Sequence, residues 1–277
     1  MKKKKLLKAL AVLLVLALAV VGIIFAGDLF STLPSALMIS SHSESAPTLV
    51  AHRGLSSIYP QNTIAAFEGA AKYGFEYYEL DVHTTKDGEW VVIHDDTVDA
   101  MTNGSGEVES FTLEEIRKLS IDGGNGIENY EKLLVPTLSE SLDVCKETGI
   151  LPVIELKKCD VQYLPDLVEL LDEYGLDEEA KIISFDKGYL EQYRKLDGDI
   201  DILYLANDPS VEDIDWCIEN SFGINFNNGN LYKCLDAISY AKEKGVTIAA
   251  WTVDNTIFAD IMVLFGAEYI TTNKILP

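Results

Sequence analysis

The sequence predicts an α/β chain. Its fold class is a (β/α)8 TIM barrel with a hairpin arm and small insertion after the second strand, preceded by an N-terminal transmembrane helix. Three observations carry this. Strand-like and helix-like runs alternate from Thr48 onward with no all-strand region, the mark of a parallel sheet. The strand candidates number eight once one tight hairpin is set aside. An unbroken apolar run, Ala9 to Ala26, stands ahead of the alternation.

That apolar run has eighteen residues, roughly 27 Å of helix against a hydrocarbon core of about 30 Å. A secretory signal has a shorter apolar stretch and a small-x-small cleavage site, for which Ile24-Phe25-Ala26 is a weak candidate. We read residues 1–27 as an anchor in preference to a cleaved signal. Either reading exports the rest, because Lys2, Lys3, Lys4, Lys5 and Lys8 stay on the cytoplasmic side. The expected location is the cell membrane, single-pass with the C-terminal domain outside, or secreted if the segment is cleaved. Residues 28–47, with six Ser and two Pro, read as a linker, and residues 48–277 as the barrel domain.

Strands are expected at 48–54, 77–85, 90–95, 151–157, 181–185, 200–205, 222–226, 246–252 and 268–272. Helices are expected at 63–73, 112–119, 138–148, 164–174, 188–195, 211–219, 232–244 and 256–265. Gly74, Gly149, Gly175, Gly245 and Gly266 fall where helices should stop. Nine strands are one too many for the barrel. Lys86-Asp87-Gly88-Glu89 is a tight turn, too short for a parallel crossover, so 90–95 returns antiparallel as an arm beside 77–85. A doubly wound sheet is the competing architecture, but no Gly-rich dinucleotide loop supports it. Residues 97–135 form the insertion, polar and Gly-rich, with one short helix, suited to covering a site.

Charge excludes some functions. Beyond residue 27 the chain holds 17 basic against 45 acidic residues, a net −28 within a total of −23. Such a body repels nucleic acid and anionic membrane surfaces. Four cysteines, Cys145, Cys159, Cys217 and Cys234, fit either two disulfides or four buried thiols. Oligomeric state is not legible.

Of four histidines, His42 lies in the linker, while His52 and His94 end strands, where barrel enzymes carry their chemistry. Strand alternation puts Glu79, Asp81 and His83 on one face and Glu155 with Lys157 on another, each set separated by apolar residues. If the apolar residues meet the helices, the charges point into the barrel. There the carboxylates suit one divalent cation, Ca2+ or Mg2+; a buried ion-pair network, Glu155 with Lys157 and Asp81 with Arg53, is the alternative. Counting back from the turn places Asp81 opposite His94. Two histidines near a cation, with Arg53 and Lys157, would suit a phosphate: Arg as a fork, Lys as a point charge, the imidazoles as base and acid. His83 reads as a strand-end residue without a catalytic role. Trp90 and Trp216 read as packing residues.

His52-Arg53-Gly54, Pro60-Gln61-Asn62-Thr63, Glu79-Leu80-Asp81-Val82, Thr85-Lys86-Asp87-Gly88, His94-Asp95, Glu155-Leu156-Lys157 and Trp251-Thr252-Val253 follow one another in a family order. With these motifs the chain from about Thr48 resembles the glycerophosphodiester phosphodiesterases. The resemblance implies hydrolysis of a small-molecule glycerophosphodiester to glycerol 3-phosphate and an alcohol. It implies that His52 and His94 are the catalytic acid/base pair and that Glu79, Asp81 and Glu155 are the metal ligands. Arg53 and Lys157 are then phosphate contacts, Trp251 lines the glycerol side, and Asn62, grouped with the substrate-binding residues, supports the site from the start of the first helix. Attack by a glycerol hydroxyl, giving a cyclic phosphate first, would suit two histidines. Three positions depart from the family's usual pattern: Gln61 for Glu, Ala100 for Arg, and Asn273 for Asp. None removes a proposed ligand or catalytic histidine. Two rivals stand beside this reading. A barrel glycosidase would use the carboxylates but leave both histidines, Arg53 and Lys157 idle. A surface-tethered binding module without turnover would have no use for an intact histidine pair.

Overall fold

Eight parallel strands close into a barrel in the computed structural model, which describes residues 46–276. They are β1 (Thr48–Ala51), β2 (Tyr77–Thr84), β4 (Leu151–Lys158), β5 (Lys181–Ser184), β6 (Asp201–Ala206), β7 (Gly223–Asn227), β8 (Ile248–Trp251) and β9 (Ala267–Thr272). Closure comes from β1, which pairs with β9 on one side and β2 on the other. The hairpin arm is β3 (Trp90–Val92), antiparallel to β2. The helices are α1 (Ile64–Lys72), α2 (Leu113–Ile116), α3 (Leu138–Thr148), α4 (Leu164–Tyr174), α5 (Lys187–Leu196), α6 (Val211–Asn220), α7 (Leu231–Lys244) and α8 (Thr256–Leu264). The predicted anchor and linker fall almost wholly outside the described residues; among the described residues no helix is long and apolar enough to cross a membrane.

The arm exists because strand lengths differ. β1 meets β2 only at Tyr77 and Tyr78, so the far half of β2 lacks a partner on that side, and β3 takes Val82, His83 and Thr84. The expected register is corrected by one residue. Thr85 pairs with Glu89 and not with Trp90, its N–H donating to the Glu89 carbonyl at 2.9 Å and its hydroxyl accepting the Glu89 N–H at 3.0 Å. Thr84 therefore faces Trp90, and Asp81 accepts the N–H of Ile93, not of His94. His94 lies beyond the end of β3.

Helix starts follow the sequence. Thr63 caps α1, and Thr112, Thr137 and Ser210 close capping boxes on α2, α3 and α6 with the acidic side chain three residues on. Gly149, Gly175 and Gly245 end α3, α4 and α7 in the left-handed conformation. The insertion has its own apolar cluster of Val91, Ile93, Val98, Met101, Val108, Ile116, Ile121 and Val135, and its helix is a single turn.

Alternation decides what faces the barrel axis. Tyr78, Leu80, Val82, Ile154 and Leu156 pack outward in the main core beneath the helices. Val50, Val153, Ile183, Leu203, Leu205 and Ala249 form a separate inner cluster with Tyr77, Trp251 and Tyr269. The residues between the outward ones, Glu79, Asp81 and Glu155, are buried charges inside the barrel. All four cysteines are free, buried thiols.

Candidate active site

The site starts at the end of β1. Arg53 and Gly54 both have positive φ, 55° and 74°. Such a turn is uncommon for arginine and costs on the order of 1 kcal/mol or more. It aims the Arg53 N–H at Glu79 Oε2, 2.9 Å away, and brings Arg53 Nε to 3.4 Å from Asp81 Oδ2. Gly54 is required: a Cβ there would lie 2.6 Å from the Ala66 backbone. Arg53 Nη1 donates to Gln61 Oε1 at 2.7 Å, a neutral contact where a glutamate would make an ion pair.

Three carboxylates meet beside it. Atoms of Glu79, Asp81 and Glu155 all lie within 4.8 Å of one another, and Asp81 stands opposite Glu155 across β2 and β4. Asn62 holds Asp81, donating Nδ2 to Oδ2 at 2.8 Å and accepting the Asp81 N–H at 3.3 Å. Asn62 thus orients a carboxylate, as support for the site. Lys157 Nζ donates to Glu155 Oε1 at 2.9 Å and lies 3.8 Å from Asp81 Oδ1.

Both predicted pictures are partly present. The expected ion pairs Glu155–Lys157 and Asp81–Arg53 form, yet they do not use up the carboxylates. Glu79 Oε1 and Asp81 Oδ1 are buried without a hydrogen-bond partner. Burial pushes the Glu79 carboxyl well above its ordinary range, and Asp81 and Glu155 push the same way. Glu155 rises to about 7, through burial first and then Asp81. Burial acts upward on Asp81 too, but Arg53, His94 and Lys157 outweigh it and hold this carboxyl below its usual value. Three clustered buried acids against two cations, with two orphaned oxygens among them, fit a hard divalent cation with oxygen ligands.

The histidines flank this cluster. His52 Nε2 is 3.9 Å from Glu79 Oε2, and its Nδ1 is 2.7 Å from Asn273 Oδ1. Burial first, then Arg53, lowers His52 to about 4, so the ring is neutral at neutral pH. His94 joins from beyond the end of the β3 arm, despite the register correction: its Nε2 is 3.3 Å from Lys157 Nζ and its Nδ1 is 2.6 Å from Asp95 Oδ1. His83 sits behind, its Nε2 3.3 Å from the His94 carbonyl, a support and not a member of the pair. Trp251 ends β8 at the same mouth, its ring 5.6 Å from that of Phe185, with Nε1 donating to the Asn225 carbonyl. Trp90 and Trp216 pack, as expected. Sequence reading named Asp95 only within the His94-Asp95 motif, without a role, and missed Asp254. Asn273 was visible only as a departure from a family pattern.

A cation-ready carboxylate cluster between two imidazoles, with a guanidinium and an ammonium at hand, is equipment for hydrolysing phosphate esters at a barrel mouth. Comparison with known proteins narrows this class. Residues 52–276 match the Glycerophosphoryl diester phosphodiesterase family, and the chain belongs to that family of phosphoric diester hydrolases. It is 35% identical over 232 residues to the glycerophosphodiester phosphodiesterase of Caldanaerobacter subterraneus subsp. tengcongensis, covering 81% of this chain and 93% of that one. Among solved structures, the Parabacteroides distasonis glycerophosphodiester phosphodiesterase superposes with a TM-score of 0.70 at 26% identity, over 83% of this chain and 94% of that one. An Oleispira antarctica phosphodiesterase, solved with its product sn-glycerol-3-phosphate, shares the fold with a TM-score of 0.76 at 24% identity, over 82% of this chain and 93% of that one.

Proposed function

We propose that this chain hydrolyses glycerophosphodiesters to glycerol 3-phosphate and an alcohol, with His52 and His94 as the acid/base pair beside one divalent cation, Ca2+ or Mg2+. The observation that carries the reading is the carboxylate cluster with its orphaned oxygens, with His52 beside Glu79 and His94 beside Lys157. Family membership and the relatives' names support the substrate class.

Glu79, Asp81 and Glu155 would hold the cation, which when bound supplies positive charge against the phosphate oxygens. The other roles belong to the chain. Arg53 and Lys157 bind the phosphate, and Trp251 offers an apolar wall to the glycerol. His52, neutral, takes the proton of the attacking glycerol hydroxyl as its oxygen bonds to phosphorus. His94, oriented by Asp95, gives a proton to the alcohol oxygen as that bond breaks. Water then opens the cyclic phosphate with the proton roles reversed. The apolar run in residues 1–27 supports display of this activity outside the cell on a membrane anchor.

Product analysis tests the reading. Incubation with glycerophosphocholine should yield equal amounts of choline and glycerol 3-phosphate, with a trappable cyclic glycerophosphate. Phosphocholine plus glycerol, or no product, would overturn it. Direct water attack, seen as inversion at an isotopically chiral phosphorus, would overturn the cyclic step.

A further inference from the structure

We propose that Asp254 and Asn273 form a relay that fixes His52 in the tautomer protonated at Nδ1, leaving the Nε2 lone pair facing the carboxylate cluster. This rests on the reading of His52 as an acid/base residue and adds two positioning residues to it.

The relay follows three neighbouring strand ends. Asp254 lies just beyond β8, Asn273 just beyond β9, and His52 just beyond β1, and these strands are adjacent in the barrel. Asp254 Oδ2 accepts from Asn273 Nδ2 at 2.7 Å, and Asn273 Oδ1 lies 2.7 Å from His52 Nδ1.

Donor and acceptor logic then fixes each proton. Asp254 Oδ1 is committed to the Asn273 N–H at 2.8 Å and the Thr272 hydroxyl at 3.1 Å. Burial raises the Asp254 carboxyl, but these hydrogen bonds and that from Nδ2 outweigh it and hold the group below its usual value, hence ionised. An ionised carboxylate only accepts, so the amide NH2 of Asn273 must face it. The amide oxygen must then face His52, where the Ser56 hydroxyl also donates to it at 3.2 Å. An oxygen opposite Nδ1 demands a proton on Nδ1, and a neutral imidazole has only one. The backbone locks the frame: the His52 N–H donates to the Thr272 carbonyl at 2.8 Å and Ser57 N–H to the Asn273 carbonyl at 3.0 Å.

The logic predicts how the relay breaks. Asp254→Asn keeps the shape, and its oxygen stays on the Asn273 N–H, so its new NH2 faces the Asn273 NH2. Asn273 must turn its amide over, presenting NH2 to His52 Nδ1. Nδ1 must then accept, and the ring proton moves to Nε2, the atom proposed to take a proton. Adding Asn273→Asp restores the order: the amide at 254 donates to the new carboxylate, which accepts from His52 Nδ1–H.

The test is ¹⁵N NMR of the full chain labelled in histidine, with the His52 signals identified by their loss in His52→Ala. Expected are an Nδ1–H tautomer in wild type, Nε2–H in Asp254→Asn, and Nδ1–H again in Asp254→Asn/Asn273→Asp. Turnover of glycerophosphocholine should follow, with kcat down about 100-fold in the single variant, KM within about 2-fold, and kcat largely recovered in the double. A wild-type Nε2–H tautomer, or one that Asp254→Asn leaves unmoved, overturns the relay. A merely structural Asp254 would lower activity without moving the ring proton and without rescue. If wild type itself shows no turnover, the proposed activity fails, while the tautomer series still decides the relay.

Discussion

Asp81 and Glu155 stand directly opposite each other across β2 and β4, both buried, with Glu79 completing the cluster two residues before Asp81 on the same face. Like charges face to face inside a barrel are destabilising until a counter-charge joins them. This pairing is where stability and function oppose each other.

The first prediction concerns that opposition. Glu79→Gln keeps an oxygen for the Arg53 N–H and removes a buried acid that burial, Asp81 and Glu155 hold well above its ordinary range. In EDTA it should be more stable than wild type by about 1 kcal/mol. Added Ca2+ or Mg2+ should raise the wild-type Tm by mass action and move the variant much less. Thermal melts of both proteins with and without the cation read this directly.

The pH dependence has a definite sign. Glu155 is raised to about 7 in the fold, against about 4.3 in the unfolded chain. The folded state therefore binds the extra proton across that window, and this group's contribution is present below it and lost as pH rises through 7. His52, lowered to about 4, acts oppositely: its contribution is present above about 6.5 and lost as pH falls toward 4. The two partly cancel, so the measurement is a difference. In EDTA, Glu155→Gln should gain stability relative to wild type between pH 5 and 8 in urea titrations, by on the order of 1 kcal/mol or more. Cation affinity should rise over the same range.

His52→Ala and His94→Ala should each lower kcat by about 10²-fold to 10⁴-fold with an unchanged far-UV circular dichroism spectrum, since both side chains sit at the mouth and not in the helix-packed core. Wild-type rates in either would refute the acid/base assignment. His83→Gln should lose far less, because its contact is to the His94 carbonyl.

Gly54→Ala should destabilise by about 2 kcal/mol or more, combining a left-handed φ with a Cβ placed against the Ala66 backbone. Activity should fall with it, because His52 and Arg53 enter on this turn. Chemical denaturation with parallel kinetics would separate the two losses.

Much of this was legible in the sequence because alternation is strict. Glu79, Asp81 and Glu155 could be placed on the barrel's inner face from the apolar residues between them, and the Asp-Gly turn announced the antiparallel arm. The register of that arm was not, because Thr85 and Glu89 hydrogen-bond to each other and shorten the loop to Lys86–Gly88 by a pairing that local pattern does not encode. His94 reaches the cluster anyway, since it lies past the strand end. The relay was illegible for a different reason. Asp254 and Asn273 belong to separate strand ends, and neither carries a periodic signal; only closure of the barrel brings β8, β9 and β1 side by side.

The most direct measurement is the rate of glycerol 3-phosphate release from glycerophosphocholine by protein stripped with EDTA and then titrated with Ca2+ or Mg2+. The account predicts no release from the stripped protein, recovery with one equivalent of bound cation, and no recovery in Asp81→Asn or Glu155→Gln. Full activity in the stripped protein, or full recovery in those variants, would contradict it.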